Sequence, residues 1–133
     1  MRDQETGARD LLNEWAAAVS RCDAAAVTST YHPQAQFWGT LAGYLRTSSE
    51  DIRGYFRHFL NRDSMQVELG PAEFSAQPDG RILVAGEYKF CWQDDASSAP
   101  VRTRARYTMV LCPNAGGWQI LQHHSSAWVD DGI

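Results

Sequence analysis

A surplus of positive charge, cysteines in pairs and any long apolar run are all missing from this chain. Its 133 residues carry 12 Lys and Arg against 16 Asp and Glu, a net charge of −4. That balance offers no electrostatic footprint for a nucleic-acid backbone. The one local exception is Arg102, Arg104 and Arg106. No apolar stretch approaches the ~20 residues of a membrane-spanning helix, so no membrane partner is expected. Cys22, Cys91 and Cys112 are odd in number and far apart. They read as buried, reduced thiols of a cytoplasmic protein, not as a disulfide framework. His32 and His58 give no metal-ligand spacing with His123 and His124, and no metal is expected. There is no nucleophile elbow and no phosphate-binding glycine loop, and no cofactor is implied. The N-terminus is charged and leads straight into an amphipathic pattern, which does not read as a signal peptide.

What is present is an ordinary globular composition, 44% hydrophobic with five Trp, five Tyr and five Phe. At this length residues 1–133 are expected to form one domain. Leu11, Leu12, Trp15, Ala18, Val19 and Cys22 recur at helical spacing and predict a first helix of about four to five turns. Asp23 can cap a short second helix over 24–31, which Pro33 would end. Residues 35–44 read as a strand or short hairpin. Thr47-Ser48-Ser49-Glu50-Asp51 holds two overlapping capping boxes. They precede a third helix whose Ile52, Tyr55, Phe56, Phe59 and Leu60 form one apolar stripe. From Met65 the period changes to two. Strands are expected over 65–74, 81–92, 101–112 and 117–128, with Gln77-Pro78-Asp79-Gly80 and Pro113-Asn114-Ala115-Gly116-Gly117 as turns. Helices followed by antiparallel hairpins make an α+β fold, with the helices on one face of a strongly curved sheet.

The last strand concentrates the chemistry. In an extended chain Trp118, Ile120, Gln122, His124, Ser126 and Trp128 share one face, and Gln119, Leu121, His123, Ser125 and Ala127 share the other. An apolar start that turns polar suits a strand running from a packed core into a polar cavity.

Tyr31-His32-Pro33, Phe37-Trp38-Gly39-Thr40, Ile52 with Tyr55-Phe56, Gly86-Glu87-Tyr88-Lys89-Phe90, Arg106-Tyr107-Thr108, and Trp118-Gln119-Ile120 leading to His123-His124-Ser125-Ser126 follow one another in this order. The set resembles the nuclear transport factor 2-like superfamily over about residues 8–129. Within it the chain is most similar to SnoaL-like proteins related to the association domain of calcium/calmodulin-dependent protein kinase II. The resemblance implies a cone in which a bent antiparallel sheet wraps a long N-terminal helix and leaves a pocket at the wide end. It also implies self-association, usually as a homodimer through the outer sheet face. The superfamily holds cofactor-free isomerases, dehydratases and cyclases beside non-catalytic binding and assembly domains, so the fold does not choose a function. The His-Phe-His-Arg-Ser of the kinase association domains corresponds here to Gln122-His123-His124-Ser125-Ser126, and one arginine of that pattern is absent.

On a regular last strand His124 falls on the inner face with Ile120, as an imidazole able to bind or shuttle a proton. His123 then faces away, in a structural or interface role. Arg106 is the candidate for a buried anion contact, because an inward guanidinium can hold a carboxylate bidentately. Trp38, Tyr55, Tyr88, Arg106, His124 and Ser126 are the expected ligand-binding residues, with Trp38 and Tyr55 as walls and Thr40 and Arg46 at the rim. No Asp or Glu falls clearly on an inward position, so proton abstraction by a carboxylate is unsupported. The expected function is binding of a small polar or acidic organic ligand. A cofactor-independent enzyme with His124 as acid/base, or a pure oligomerisation module, are the alternatives.

Overall fold

A computed structural model describes residues 2–129. Its elements run α1 (Arg2–Ser20), α2 (Ala24–Ser29), β1 (Tyr31–Trp38), α3 (Ser49–Phe59), β2 (Ser64–Ala76), β3 (Ile82–Gln93), β4 (Val101–Asn114) and β5 (Gly117–Ala127). The strands make one sheet in the order β1-β5-β4-β3-β2. The expected α+β architecture is present: α1 lies against a bent, unclosed sheet and buries its apolar stripe there. Ala8, Leu11, Leu12, Trp15, Ala18 and Val19 of that helix are all buried.

The helix ends follow local chemistry. Helix α1 stops two residues before Cys22, which takes φ 57°, and the Asp23 amide then reaches back to the Ala18 carbonyl at 3.1 Å. Such a left-handed residue closing the last turn is a common helix ending. The Asp23 carboxylate caps α2 by accepting from the Ala26 amide at 3.0 Å, and Ser48 caps α3 by accepting from Asp51 at 3.1 Å. Cys112 is buried; Cys22 and Cys91, expected to be buried too, are only partly so.

Two expectations fail around Pro33. Helix α2 ends at Ser29, not Tyr31, and strand β1 begins at Tyr31 and contains the proline. Pro33 is tolerated because β1 is an edge strand and its register with β5 shifts between Tyr31 and Gln36; a missing N–H costs least at such a place. Strand β1 also pairs with β5 in parallel, whereas the other three pairings are antiparallel.

Two bulges bend the sheet. On β2 the register slips between Leu69 and Ala72, where Gly70 and Pro71 interrupt the ladder against β3. On β5 the slip falls at Leu121: Leu111 pairs with Ile120, yet its neighbour Val110 pairs with Gln122. A strand with one extra residue reverses the facing of every side chain beyond it. This second bulge decides which residues enter the cone.

Candidate functional site

Up to Ile120, which is fully buried, β5 follows the expected parity. Past Leu121 the parity inverts, and His123 opposite Met109 and Ser125 opposite Tyr107 turn inward. His123 is 1% exposed and Ser125 is 6% exposed. His124 and Ser126 turn outward. The expectation that His124 and Ser126 line the interior, with His123 outside, is therefore reversed by a single inserted residue. On β4, Thr103, Ala105 and Tyr107 face inward, so Arg102, Arg104 and Arg106 stand on the outer face and are exposed.

The cavity left inside the cone has a volume of about 90 Å³ and is lined by aromatic rings from every side. Helix α1 supplies Trp15; α3 supplies Tyr55, Phe56 and Phe59; β3 supplies Tyr88, Phe90 and Trp92. Trp15 stacks on Tyr88 with ring centroids 5.7 Å apart, and Tyr88 stacks in turn on Tyr107 at 4.5 Å. Phe37 meets Tyr55 edge to face at 4.9 Å. Thr40 and Leu41, just beyond β1, complete the lining, and Leu41 is 76% exposed at the mouth. Among the described residues no Asp, Glu, Lys or Arg lines this cavity.

Trp15, His123, Tyr88, Ser125 and Thr40 of this lining are joined by one continuous hydrogen-bond chain, whereas Tyr55, Trp92 and Thr103 line the cavity outside it. Trp15 Nε1 donates to the Tyr31 hydroxyl at 3.2 Å, and that hydroxyl lies 2.8 Å from His123 Nδ1. His123 Nε2 lies 3.0 Å from the Tyr88 hydroxyl, which donates to Ser125 Oγ at 2.6 Å. Ser125 Oγ is also in a short hydrogen bond with Thr40 Oγ1. Both imidazole nitrogens are thus engaged. Burial, together with the neighbouring charge of His124, depresses the His123 pKa to about 3, so the ring is neutral near pH 7. Burial likewise pushes the phenols of Tyr31, Tyr88 and Tyr55 upward, and that of Tyr107 up to about 12.

Of the six expected ligand-binding residues, the structure puts Tyr55 and Tyr88 on the cavity wall. Trp38 lies on the outer face, 37% exposed, with its ring 6.3 Å from that of His124. Arg106, His124 and Ser126 do come together, in a shallow outer groove, where Arg106 Nε donates to Ser126 Oγ at 3.0 Å. Of the two rim candidates, Thr40 lines the cavity. Arg46 sits behind the wall, its guanidinium 5.1 Å from the Tyr55 ring centre and 3.6 Å from the Asp51 carboxylate. Sequence reasoning missed His123, Ser125 and Trp15 as cavity residues. The adjacent pair His123-His124 placed an imidazole inside under either parity, but only the bulge says which. Among the described residues no group of three His, Cys, Asp or Glu could hold a metal ion, and no helix is long and apolar enough to cross a membrane.

A helix wrapped by a bent, open sheet, with a cavity between helices and sheet, is the nuclear transport factor 2-like class of fold. Residues 8–130 match the model of the SnoaL-like domain, and the chain belongs to that family. It is similar to a Xanthomonas campestris protein named as a calcium/calmodulin dependent protein kinase II association domain. The two are 28% identical over 95% of this chain and 87% of that one, with a TM-score of 0.82. A Streptomyces avermitilis protein, named as a dehydratase of the NTF2-like family, superposes with a TM-score of 0.84 at 14% identity, covering 96% of this chain and 99% of that one. An NTF2-like protein of Novosphingobium aromaticivorans with a cystatin-like fold gives 0.78 at 12% identity, over 98% and 84%. The likenesses at 14% and 12% identity establish the fold alone. No curated protein matches the sequence.

Proposed function

We propose that this SnoaL-like domain binds a small, uncharged, largely aromatic or apolar organic molecule in its inner cavity, without turning it over. The carrying observation is the lining: a ring-walled cavity in which the polar groups are neutral and the charged candidates lie outside. Sites of this kind draw affinity from apolar contact and orientation from a few placed polar atoms. A volume of about 90 Å³ is smaller than the ~150 Å³ engineered cavity that accepts benzene, so a ring entering here extends into the mouth at Leu41. The acidic-ligand expectation loses its place in the cavity with Arg106, because an unpaired carboxylate buried among these rings has no counter-charge to offset its desolvation.

Acid/base catalysis is the weaker reading. His124 is outside, and His123 is neutral with both nitrogens occupied. The S. avermitilis neighbour's dehydratase name does not alter this at 14% identity.

The test is thermal unfolding against a panel of small neutral aromatics. A ligand at a hundred times its dissociation constant adds ~2.7 kcal/mol to stability, a rise in Tm that a cavity-filling Ala105→Leu variant abolishes. A panel that leaves Tm unmoved in a cooperatively melting protein overturns the reading.

Self-association through the outer face of the sheet, in the cytoplasm, is part of the same proposal. The support is the apolar surface there: Leu83 is 44% exposed and Trp38 is 37% exposed. Sedimentation of the wild type and of Leu83→Lys tests it; a monomeric wild type removes it.

A further inference from the structure

The hydrogen-bond chain through the core has a direction, and the direction fixes what the hydroxyl pair at its end offers a ligand. An indole nitrogen can only donate, so Trp15 Nε1–H points at the Tyr31 oxygen. The Tyr31 proton then has His123 Nδ1 as its acceptor, 2.8 Å away. A neutral imidazole that accepts at Nδ1 carries its proton on Nε2. That N–H donates to the Tyr88 oxygen, 3.0 Å away, and the Tyr88 proton goes on to Ser125 Oγ at 2.6 Å. Four donors are spent in one sense from helix α1 to strand β5. The chain ends at two hydroxyls, Ser125 and Thr40, which hold two protons and share one bond. If Ser125 donates to Thr40, the Thr40 proton is left over; if Thr40 donates, the Ser125 proton is. In both cases one O–H is unspent, at a pair that lines the cavity.

The opposite tautomer gives the opposite result. With the proton on Nδ1 the ring donates to Tyr31, whose own proton then faces only the Trp15 and His123 donors. Tyr88 turns its proton to Nε2, Ser125 donates back to Tyr88, Thr40 donates to Ser125, and the pair has no proton left for a ligand. The buried Trp15 indole thus selects the donor state of the hydroxyl pair at the other end of the hydrogen-bond chain.

We propose that the unspent Ser125–Thr40 hydroxyl proton is given to the ligand, so that the cavity takes neutral aromatic or apolar molecules bearing one hydrogen-bond acceptor, a carbonyl oxygen foremost. This rests on the cavity reading above and narrows it. A pure hydrocarbon leaves the hydroxyl without a partner inside an apolar wall, and a carboxylate brings a charge that a single hydroxyl does not balance.

Two measurements test it on the full chain. In protein-detected NMR titrations with benzaldehyde, toluene and benzoate, benzaldehyde is expected to bind at least fivefold more tightly than toluene, and benzoate more weakly than either. The preference disappears in the double variant Thr40→Val/Ser125→Ala. Equal affinity for benzaldehyde and toluene in the wild type overturns the proposal and leaves the cavity reading standing. Failure of all three to perturb cavity resonances overturns both. The second measurement needs no ligand and no variant: the imidazole ¹⁵N shifts of His123 should report protonation at Nε2. Protonation at Nδ1 reverses the chain and overturns the proposal even if every probe binds.

Discussion

Gly39 lies so close to the Tyr55 ring that a Cβ placed on it would stand 2.6 Å from both Cε2 and Cζ. The residue that follows strand β1 therefore seats an aromatic wall of the cavity that belongs to helix α3. Gly39→Ala is expected to displace Tyr55 and to cost about 1–3 kcal/mol, as overpacking usually does. Urea unfolding gives the cost, and loss of the aromatic-ligand Tm shift shows that the wall has moved. A variant as stable as the wild type with an unchanged shift contradicts the argument.

The buried imidazole predicts acid sensitivity. The folded pKa of His123 is about 3, below the ordinary value of 6.5, because burial disfavours the charged ring. The unfolded chain thus binds a proton between these values when the native state does not. The contribution is fully present above pH 6.5 and is lost as pH falls toward 3. It amounts to about 2 kcal/mol between pH 7 and pH 5 at ~1.4 kcal/mol per unit. Urea midpoints at the two pH values should differ by less in His123→Gln than in the wild type; parallel losses would show that other groups dominate.

Tyr31→Phe removes the link between Trp15 and His123. It leaves an indole N–H and an imidazole nitrogen without a partner in the core, an expected cost of about 1–3 kcal/mol. The His123 ¹⁵N spectrum should also become a mixture of tautomers, because nothing then commits Nδ1 to accept. A single unchanged tautomer means that the polarity is set elsewhere.

Arg106→Ala and His124→Ala should do little. Both side chains are exposed on the outer face, and the bond from Arg106 goes to Ser126. Each change is expected within about 0.5 kcal/mol of wild-type stability, with affinity for cavity ligands unaltered. A severalfold loss of that affinity in either variant would argue that ligands use the outer groove.

These outcomes bear on how far the sequence is legible. Helix α1 and helix α3 could be read because their apolar stripes and the Ser48 cap are local signals, and strands β2 to β5 because alternation and turn residues are local too. The start of strand β1 is not legible, because Pro33 speaks against a strand unless one knows that it lies on an edge. The cavity inventory depends on one residue, Leu121, and a bulge leaves no mark in an alternating pattern that is mixed on both faces. Tyr55 and Tyr88 were placed on the wall because their elements are regular. His124 and Ser126 read as inward because nothing in the sequence marks the bulge in β5; Arg106 lies on β4, where alternation leaves both faces open and the packing turns Thr103, Ala105 and Tyr107 inward instead.

The parallel pairing of β1 with β5 also orders events in time. Tyr31 and His123 are 92 residues apart, and the bond between them closes more than two thirds of the chain. During synthesis every other element emerges before β5, so the Tyr31 and Tyr88 hydroxyls are made before their imidazole. Loop closure of this span is slow and entropically costly. The cavity is accordingly the last part of the molecule to acquire its polarity, and a chain truncated before Leu121 would lose, with the imidazole and the serine, the strand that ties β1 and its Phe37 wall to the rest of the sheet.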